Sequence, residues 1–138
     1  MLSVEATHTF DLPIDEVWSY LGDFGNTSKW SGSPKEACVQ EGDGIGALRT
    51  LTFADGTIIV DRLEEQTDYS YTYSVVSGPL PIESYRATMS VSSLDDSRTE
   101  FTWQGKFKAK GITDEQCIEF FRGVYAQGIE MMKKTLRS

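Results

Sequence analysis

The stretch TDEQCIEFFRGVYAQGIEMMKKTLR, Thr113 to Arg137, reads as one long helix, and everything upstream must be arranged around it. Thr113 followed by Gln116 has the spacing of a capping box, and Ile112 is placed to staple onto Cys117. Asp114, Glu115 and Glu119 sit at the end where the helix dipole favours acids, and Lys133, Lys134 and Arg137 at the end where it favours bases. At 1.5 Å per residue the helix is roughly 36 Å long. Phe121, Val124, Tyr125, Gly128, Ile129, Met132 and Leu136 recur at helical spacing and form an apolar face that needs a partner.

That partner is β-structure. From Glu36 to Phe107 the chain alternates apolar and polar residues between turn signals at Asp55-Gly56, near Asp68, around the two prolines of Pro79-Leu80-Pro81, and at Asp95-Asp96-Ser97. The spacing predicts six strands in a meander. Arg49, Leu51 and Phe53 share one face, as do Ile59, Asp61 and Leu63, then Tyr69, Tyr71, Tyr73 and Val75, then Tyr85, Ala87, Met89 and Val91, then Phe101, Trp103, Gly105 and Phe107. Leu2, Val4, Ala6, His8 and Phe10 alternate in the same way and add a seventh strand. Between that strand and the meander, Pro13 with Asp15 and Glu16 opens a short amphipathic helix carrying Ile14, Val17, Trp18 and Leu21 and ending near Gly22. A second short helix is expected over Thr27 to Trp30. The 138 residues contain no linker, repeat or low-complexity run, so a single domain, 1–138, is expected.

Composition narrows the function classes. A net charge of −8 without clustered Lys or Arg argues against nucleic acid as a partner. Cys38 and Cys117 are far apart, no CxxC occurs, and His8 is the single histidine, so small buried thiols are expected rather than a metal site or a disulfide framework. No signal-peptide pattern opens the chain and no apolar run reaches membrane-spanning length, so a soluble, cytoplasmic protein without membrane insertion is expected. No serine, cysteine or threonine comes with a recognisable base and orienter, and no cofactor is implied. The glycines of Glu41-Gly42-Asp43-Gly44-Ile45-Gly46 lie in a strand-to-strand turn and not before a helix, where a phosphate would sit.

A strand, two short helices, six strands and one long helix make an α+β chain. The sheet would be seven-stranded, antiparallel and curved around the last helix. The helix start Pro13-Ile14-Asp15-Glu16-Val17-Trp18 contributes to a resemblance, as do Phe24 and Trp30, Asp61-Arg62-Leu63, Leu80-Pro81-Ile82 followed by Tyr85, Trp103 with Gly105 and Phe107, and the long helix. In that order these features resemble the polyketide cyclase/dehydrase-like branch of the START / Bet v 1-like (SRPBCC) superfamily, the helix-grip fold. The resemblance covers essentially the whole chain. It implies a cavity between sheet and helix for an apolar or amphipathic small molecule, entered through loops at the sheet edge. Members of the superfamily include lipid carriers, hormone receptors, polyketide cyclases and binders without activity, so the resemblance implies an architecture and a style of ligand rather than a reaction.

Strand parity and the helix face nominate the residues that would touch such a ligand: Arg49, Asp61, Tyr71, Tyr73, Tyr85, Met89, Trp103, Phe107, Phe121 and Tyr125. Leu80 and Ile82 would form a gate beside the Asp55-Gly56 turn. The inward Arg49 and Asp61 are the sharpest feature, because an unpaired ion taken out of water costs several kcal/mol. They pair with each other as structure, or line a wet pocket and orient a ligand, or a register slip turns one outward and brings Arg62 in. Tyr85 follows the stiff proline loop, and in relatives a tyrosine after the corresponding loop contacts the ligand. His8 faces inward, and Lys35 lies near where relatives carry a pocket lysine. Three functions follow: a binder of a small hydrophobic molecule, a cyclase or dehydratase using Asp61 and Tyr85 as acid and base, or a filled domain that contacts a partner protein. The sequence leaves oligomeric state and ligand identity open.

Overall fold

The computed structural model describes residues 1–25 and 38–136. Its elements are β1 (Leu2–Phe10), α1 (Ile14–Leu21), β2 (Cys38–Glu41), β3 (Leu48–Thr52), β4 (Ile58–Thr67), β5 (Ser70–Ser77), β6 (Ile82–Asp95), β7 (Arg98–Ala109) and α2 (Asp114–Leu136). The expected helical turn over Thr27 to Trp30, and Lys35 beyond it, lie outside the described residues. The seven strands form one antiparallel sheet in the order β1-β7-β6-β5-β4-β3-β2. The meander predicted from the turn signals is therefore closed by the amino-terminal strand pairing with the last one.

Each turn is held by the chemistry its sequence offers. The Asp55 carboxylate accepts the Thr57 N–H at 2.9 Å, and Asp95 accepts the Ser97 N–H at 2.9 Å. Register shifts between Val60 and Asp61, between Leu63 and Glu65, and at the two ends of β6 bend the long strands, which gives the sheet its curvature. One strand boundary departs from the pattern. Tyr69, expected on the inward face with Tyr71, lies instead in the turn before Ser70, and its hydroxyl donates to Asp15 on α1 at 2.7 Å. Alternation ceases to apply where the chain reverses.

The capping box forms as the spacing predicts. The Thr113 hydroxyl accepts the Gln116 N–H at 3.1 Å, and the Gln116 side chain accepts the Thr113 N–H at 3.0 Å. From there α2 buries Cys117, Phe121, Tyr125, Gly128, Ile129 and Met132 against the concave face of the sheet. It does not cross that face symmetrically, but lies nearest to β1, with β7 next, at one side of the sheet. Val4, Phe10, Phe101, Phe107 and the buried face of α2 belong to one continuous core, joined at the far end by Val17 and Leu21 of α1.

Candidate functional site

Because α2 sits toward β1 and β7, the concave side of β3, β4 and β5 is left partly uncovered, and a cavity of about 590 Å³ opens there. Leu51, Phe53, Ile59 and Val75 supply its apolar sheet wall. Tyr73, Tyr85 and Trp103 close it toward β7, and Arg49 and Asp61 lie at its polar end. The opposite wall is a second stripe of α2, Phe120, Val124, Gln127 and Met131, one step around from the buried face. Exposure is graded through the cavity. Phe120 and Val124 are 41% and 39% exposed, whereas Tyr85, Trp103 and Asp61 are 6%, 4% and 3%. The solvent side is therefore α2 with Ala54, Asp55 and Leu80, and the floor is β4 to β7.

Arg49 and Asp61 face each other across the β3–β4 ladder. Nε and Nη2 of Arg49 both donate to the same carboxylate oxygen, Asp61 Oδ2, at 3.0 and 2.8 Å. Nη1 donates to the Phe24 carbonyl at 3.0 Å. The guanidinium also lies 4.3 Å from the centroid of the Phe24 ring and 5.0 Å from that of Tyr73, so aromatic faces surround the cation. Burial works against this charge, but Tyr71, Asp61 and Tyr73 outweigh it, and the Arg49 pKa is pushed further above its ordinary value. Burial pushes the Asp61 carboxyl upward and outweighs the opposing pull of Arg49. Sharing Oδ2 leaves the other oxygen over. Among the described residues no donor reaches Asp61 Oδ1, which is buried.

Beside this pair runs a chain of hydroxyls. Trp103 Nε1 donates to the Tyr73 hydroxyl at 3.2 Å, Tyr73 and Tyr85 share a contact of 3.5 Å, and Tyr85 bonds in turn to Tyr125. Trp103 stacks on Tyr125 with centroids 4.0 Å apart, and Tyr85 stacks on Phe121 at 4.8 Å. Burial drives the pKa values of Tyr73, Tyr85 and Tyr125 well above the usual phenol value, with neighbouring phenols adding to the rise at Tyr73 and Tyr85. These groups are neutral at ordinary pH and act as hydrogen-bond donors and acceptors. Asp61 and Tyr85 share no hydrogen bond. Among the described residues no three His, Cys, Asp or Glu side chains gather as a metal ion would require.

Of the residues nominated from sequence, Arg49, Asp61, Tyr73, Leu80, Tyr85, Trp103 and Phe121 line the cavity. Tyr71, Ile82, Met89, Phe107 and Tyr125 do not, and the reasons are local. Tyr71 donates to Met89 Sδ at 3.2 Å and packs edge-on to Phe24, so it and Met89 lie beneath Arg49. Phe107 is covered by Phe121 at 4.7 Å, and Tyr125 by Trp103. Ile82 lies beside a register shift, half-buried against the core. The proline loop is tied back by Pro81, whose carbonyl accepts the Lys110 N–H at 3.0 Å, so only Leu80 turns toward the cavity. His8 sits away from the cavity, edge-on to Phe10 at 4.6 Å. The sequence reading missed Phe120, Gln127 and Met131 as cavity residues. With Val124 they recur at i, i+4, i+7 and i+11, a second stripe, apolar but for Gln127, that the first had masked.

Residues 1–137 match the family described as polyketide cyclase / dehydrase and lipid transport, and the chain belongs to that family. The curved sheet closing on a long carboxy-terminal helix is the helix-grip fold of its SRPBCC relatives. Among similar solved structures is the protein XoxI from Bacillus cereus, 25% identical over 100% of this chain and 97% of that one, with a TM-score of 0.87. A Thermobifida fusca protein is 25% identical over 99% of this chain and 93% of its own, with a TM-score of 0.80. An uncharacterised Bacillus thuringiensis protein shares the fold at 23% identity, covering 99% of this chain and 100% of that one, with a TM-score of 0.87. No curated protein gives a match. Among the described residues no helix is long and apolar enough to cross a membrane.

Proposed function

We propose that the protein binds a small apolar or amphipathic molecule in the cavity between the sheet and α2. The observation that carries this reading is the uncovered second stripe of α2, in which Phe120, Val124 and Met131 face the apolar side chains of β3, β4 and β5 across about 590 Å³. Apolar surface held apart at this scale is the ordinary build of a small-molecule site. Membership of a family described by both cyclase and lipid-transport activity agrees with a bound apolar molecule. A cyclase or dehydratase working through Asp61 and Tyr85 is less well supported, since Asp61 is held by Arg49 and the phenol proton is held too tightly for a base. Native mass spectrometry of freshly purified protein, with titration of the neutral dye Nile red, tests the binding role. Saturable uptake at one dye per chain is expected. It should weaken at least ~10-fold in Val124→Trp, which fills the mouth from an exposed helix position without disturbing the sealed core. Absence of both a co-purifying molecule and saturable uptake in the natural protein would refute the reading.

A further inference from the structure

Two polar surpluses meet at the closed end of the cavity. The first is Asp61 Oδ1. An arginine–carboxylate pair commonly uses both carboxylate oxygens, but here both guanidinium N–H groups converge on Oδ2. Oδ1 is left as a buried acceptor on a residue only 3% exposed, and Asp61 lines the cavity. A buried acceptor of this kind costs free energy until something donates to it.

The second surplus is a proton. Trp103 brings one N–H and Tyr73, Tyr85 and Tyr125 bring three O–H groups, while the contacts joining them number three. One hydroxyl hydrogen therefore remains to donate elsewhere. When the chain runs from Tyr125 through Tyr85 to Tyr73, that hydrogen belongs to Tyr73, which lines the cavity beside Asp61. The Asp61 charge reaches the Tyr73 phenol, and the Arg49 guanidinium lies 5.0 Å from its ring. With the chain run in that direction, one unsatisfied acceptor and one spare donor share the same end of an otherwise apolar space.

We infer that the ligand's buried end is a neutral hydroxyl, which donates to Asp61 Oδ1 and accepts from Tyr73. This deepens the binding role proposed above and rests on it. The alternatives each fail on one count. A carboxylate can accept from Tyr73 but sets its charge against Asp61. An ammonium can donate to Oδ1 but meets the Arg49 charge behind it and leaves the Tyr73 hydrogen unused. A ketone or a bare hydrocarbon has nothing to give Oδ1. Because Arg49 and Asp61 already neutralise each other, any ionic end would be buried without a counter-charge.

The test compares four probes of one shape, hydroxypyrene, pyrene, pyrenecarboxylate and pyrenemethylammonium, by equilibrium dialysis at neutral pH with the natural protein. Hydroxypyrene is expected to bind about 10- to 100-fold more tightly than pyrene, the range for a hydrogen bond to a charged acceptor, and the two ions more weakly than hydroxypyrene. Arg49→Met combined with Asp61→Leu should bring the hydroxypyrene-to-pyrene ratio to within about twofold, because no charge is left behind. Tyr73→Phe, which removes a single oxygen, should lower the ratio several-fold and serves if the double variant does not fold. Equal binding of hydroxypyrene and pyrene, or tighter binding of either ion, overturns the inference while leaving the cavity reading intact. A preference that survives in the folded variants also overturns it. Failure of all four probes to bind overturns the binding role itself.

Discussion

Tyr125 of α2 seats against the sheet at Gly105, and this makes a quantitative prediction. A Cβ at Gly105 would stand inside the van der Waals shell of the Tyr125 hydroxyl oxygen, 3.3 Å from Tyr125 Cζ and 3.4 Å from the Tyr85 hydroxyl. Tyr125 cannot step aside, because its ring is stacked on Trp103 at 4.0 Å with an interplanar angle of 15°. Gly105→Ala should therefore cost about 2–3 kcal/mol, combining an overpacked core with disruption of the Tyr85–Tyr125 bond and allowing for the entropy a strand glycine loses. Tyr125→Phe alone should cost about 1 kcal/mol, the lost hydroxyl bond, since Tyr85 keeps its contact with Tyr73. Combining the two removes the overlapping oxygen and leaves Cζ at 3.3 Å, a tight contact that a shift of a few tenths of an ångström relieves. The double variant should then lose only about 1–2 kcal/mol, a coupling on the order of 2 kcal/mol. Urea unfolding followed by circular dichroism, with unchanged denaturant slopes, measures all three. Additivity within about 0.5 kcal/mol would refute the claim that the hydroxyl seats directly on the glycine.

Asp61→Ala leaves Arg49 buried, charged and unpaired, and should cost about 3–5 kcal/mol in the same assay, whereas Arg49→Met with Asp61→Leu should be close to neutral or stabilising. A single variant no worse than the double would contradict the pairing. The raised phenol values of Tyr73, Tyr85 and Tyr125 carry a definite sign. Their folded values lie above the unfolded value near ~10, so their contribution to stability is fully present below that pH and lost as pH rises through the folded values. The phenolate absorbance of these three should accordingly lag and then rise together with loss of circular dichroism, and ionisation of Tyr73, Tyr85 or Tyr125 in the still-folded protein near pH ~10, read by difference from their Phe variants, would contradict it. Thr113→Ala should cost about 1 kcal/mol by removing the side-chain half of the capping box, read from the urea midpoint. No change would mean that the helix start is held by other contacts.

What the sequence made legible, and what it did not, divides along a physical line. Strands, helices and their order follow from periods of two and of 3.6, and these survive because one face of each element is buried: Tyr85, Ala87, Met89 and Val91 alternate as the pattern requires. The limit came where parity meets the third dimension. Facing inward says that a side chain is on the concave side, but not whether another side chain covers it. Met89 and Phe107 face inward and are sealed, while Ile59 and Val75 face inward and stay open. The Arg49–Asp61 question had the same character. The alternatives were pairing, lining, or a register slip that brings Arg62 in; the geometry does the first two, because two N–H groups can share one oxygen, and Arg62 stays exposed. Nothing in a sequence distinguishes Oδ1 from Oδ2.

The position of the cavity follows from side-chain size. Between α2 and β6–β7 lie two aromatic layers, with Tyr85 on Phe121 at 4.8 Å, Phe107 on Phe121 at 4.7 Å and Trp103 on Tyr125 at 4.0 Å. These rings set the distance between helix and sheet. On β3 to β5 beyond Tyr73 the facing strand side chains are Leu51, Ile59 and Val75, too short to span the same distance, with Phe53 just past the end of β3, so a gap opens where the stacked aromatics stop. If this is the cause, a ring supplied at that point should close the gap. Val75→Phe places one on the half-buried cavity wall, and burying it should leave stability unchanged or raise it by about 1 kcal/mol, at roughly 25 cal/mol per Å² of apolar surface. Dye uptake should fall sharply in the same variant. Had the space been created by backbone curvature alone, the added ring would meet a wall shaped by the backbone and strain it. Stability would then drop by about 1–3 kcal/mol with uptake retained, and that result would refute the spacer account.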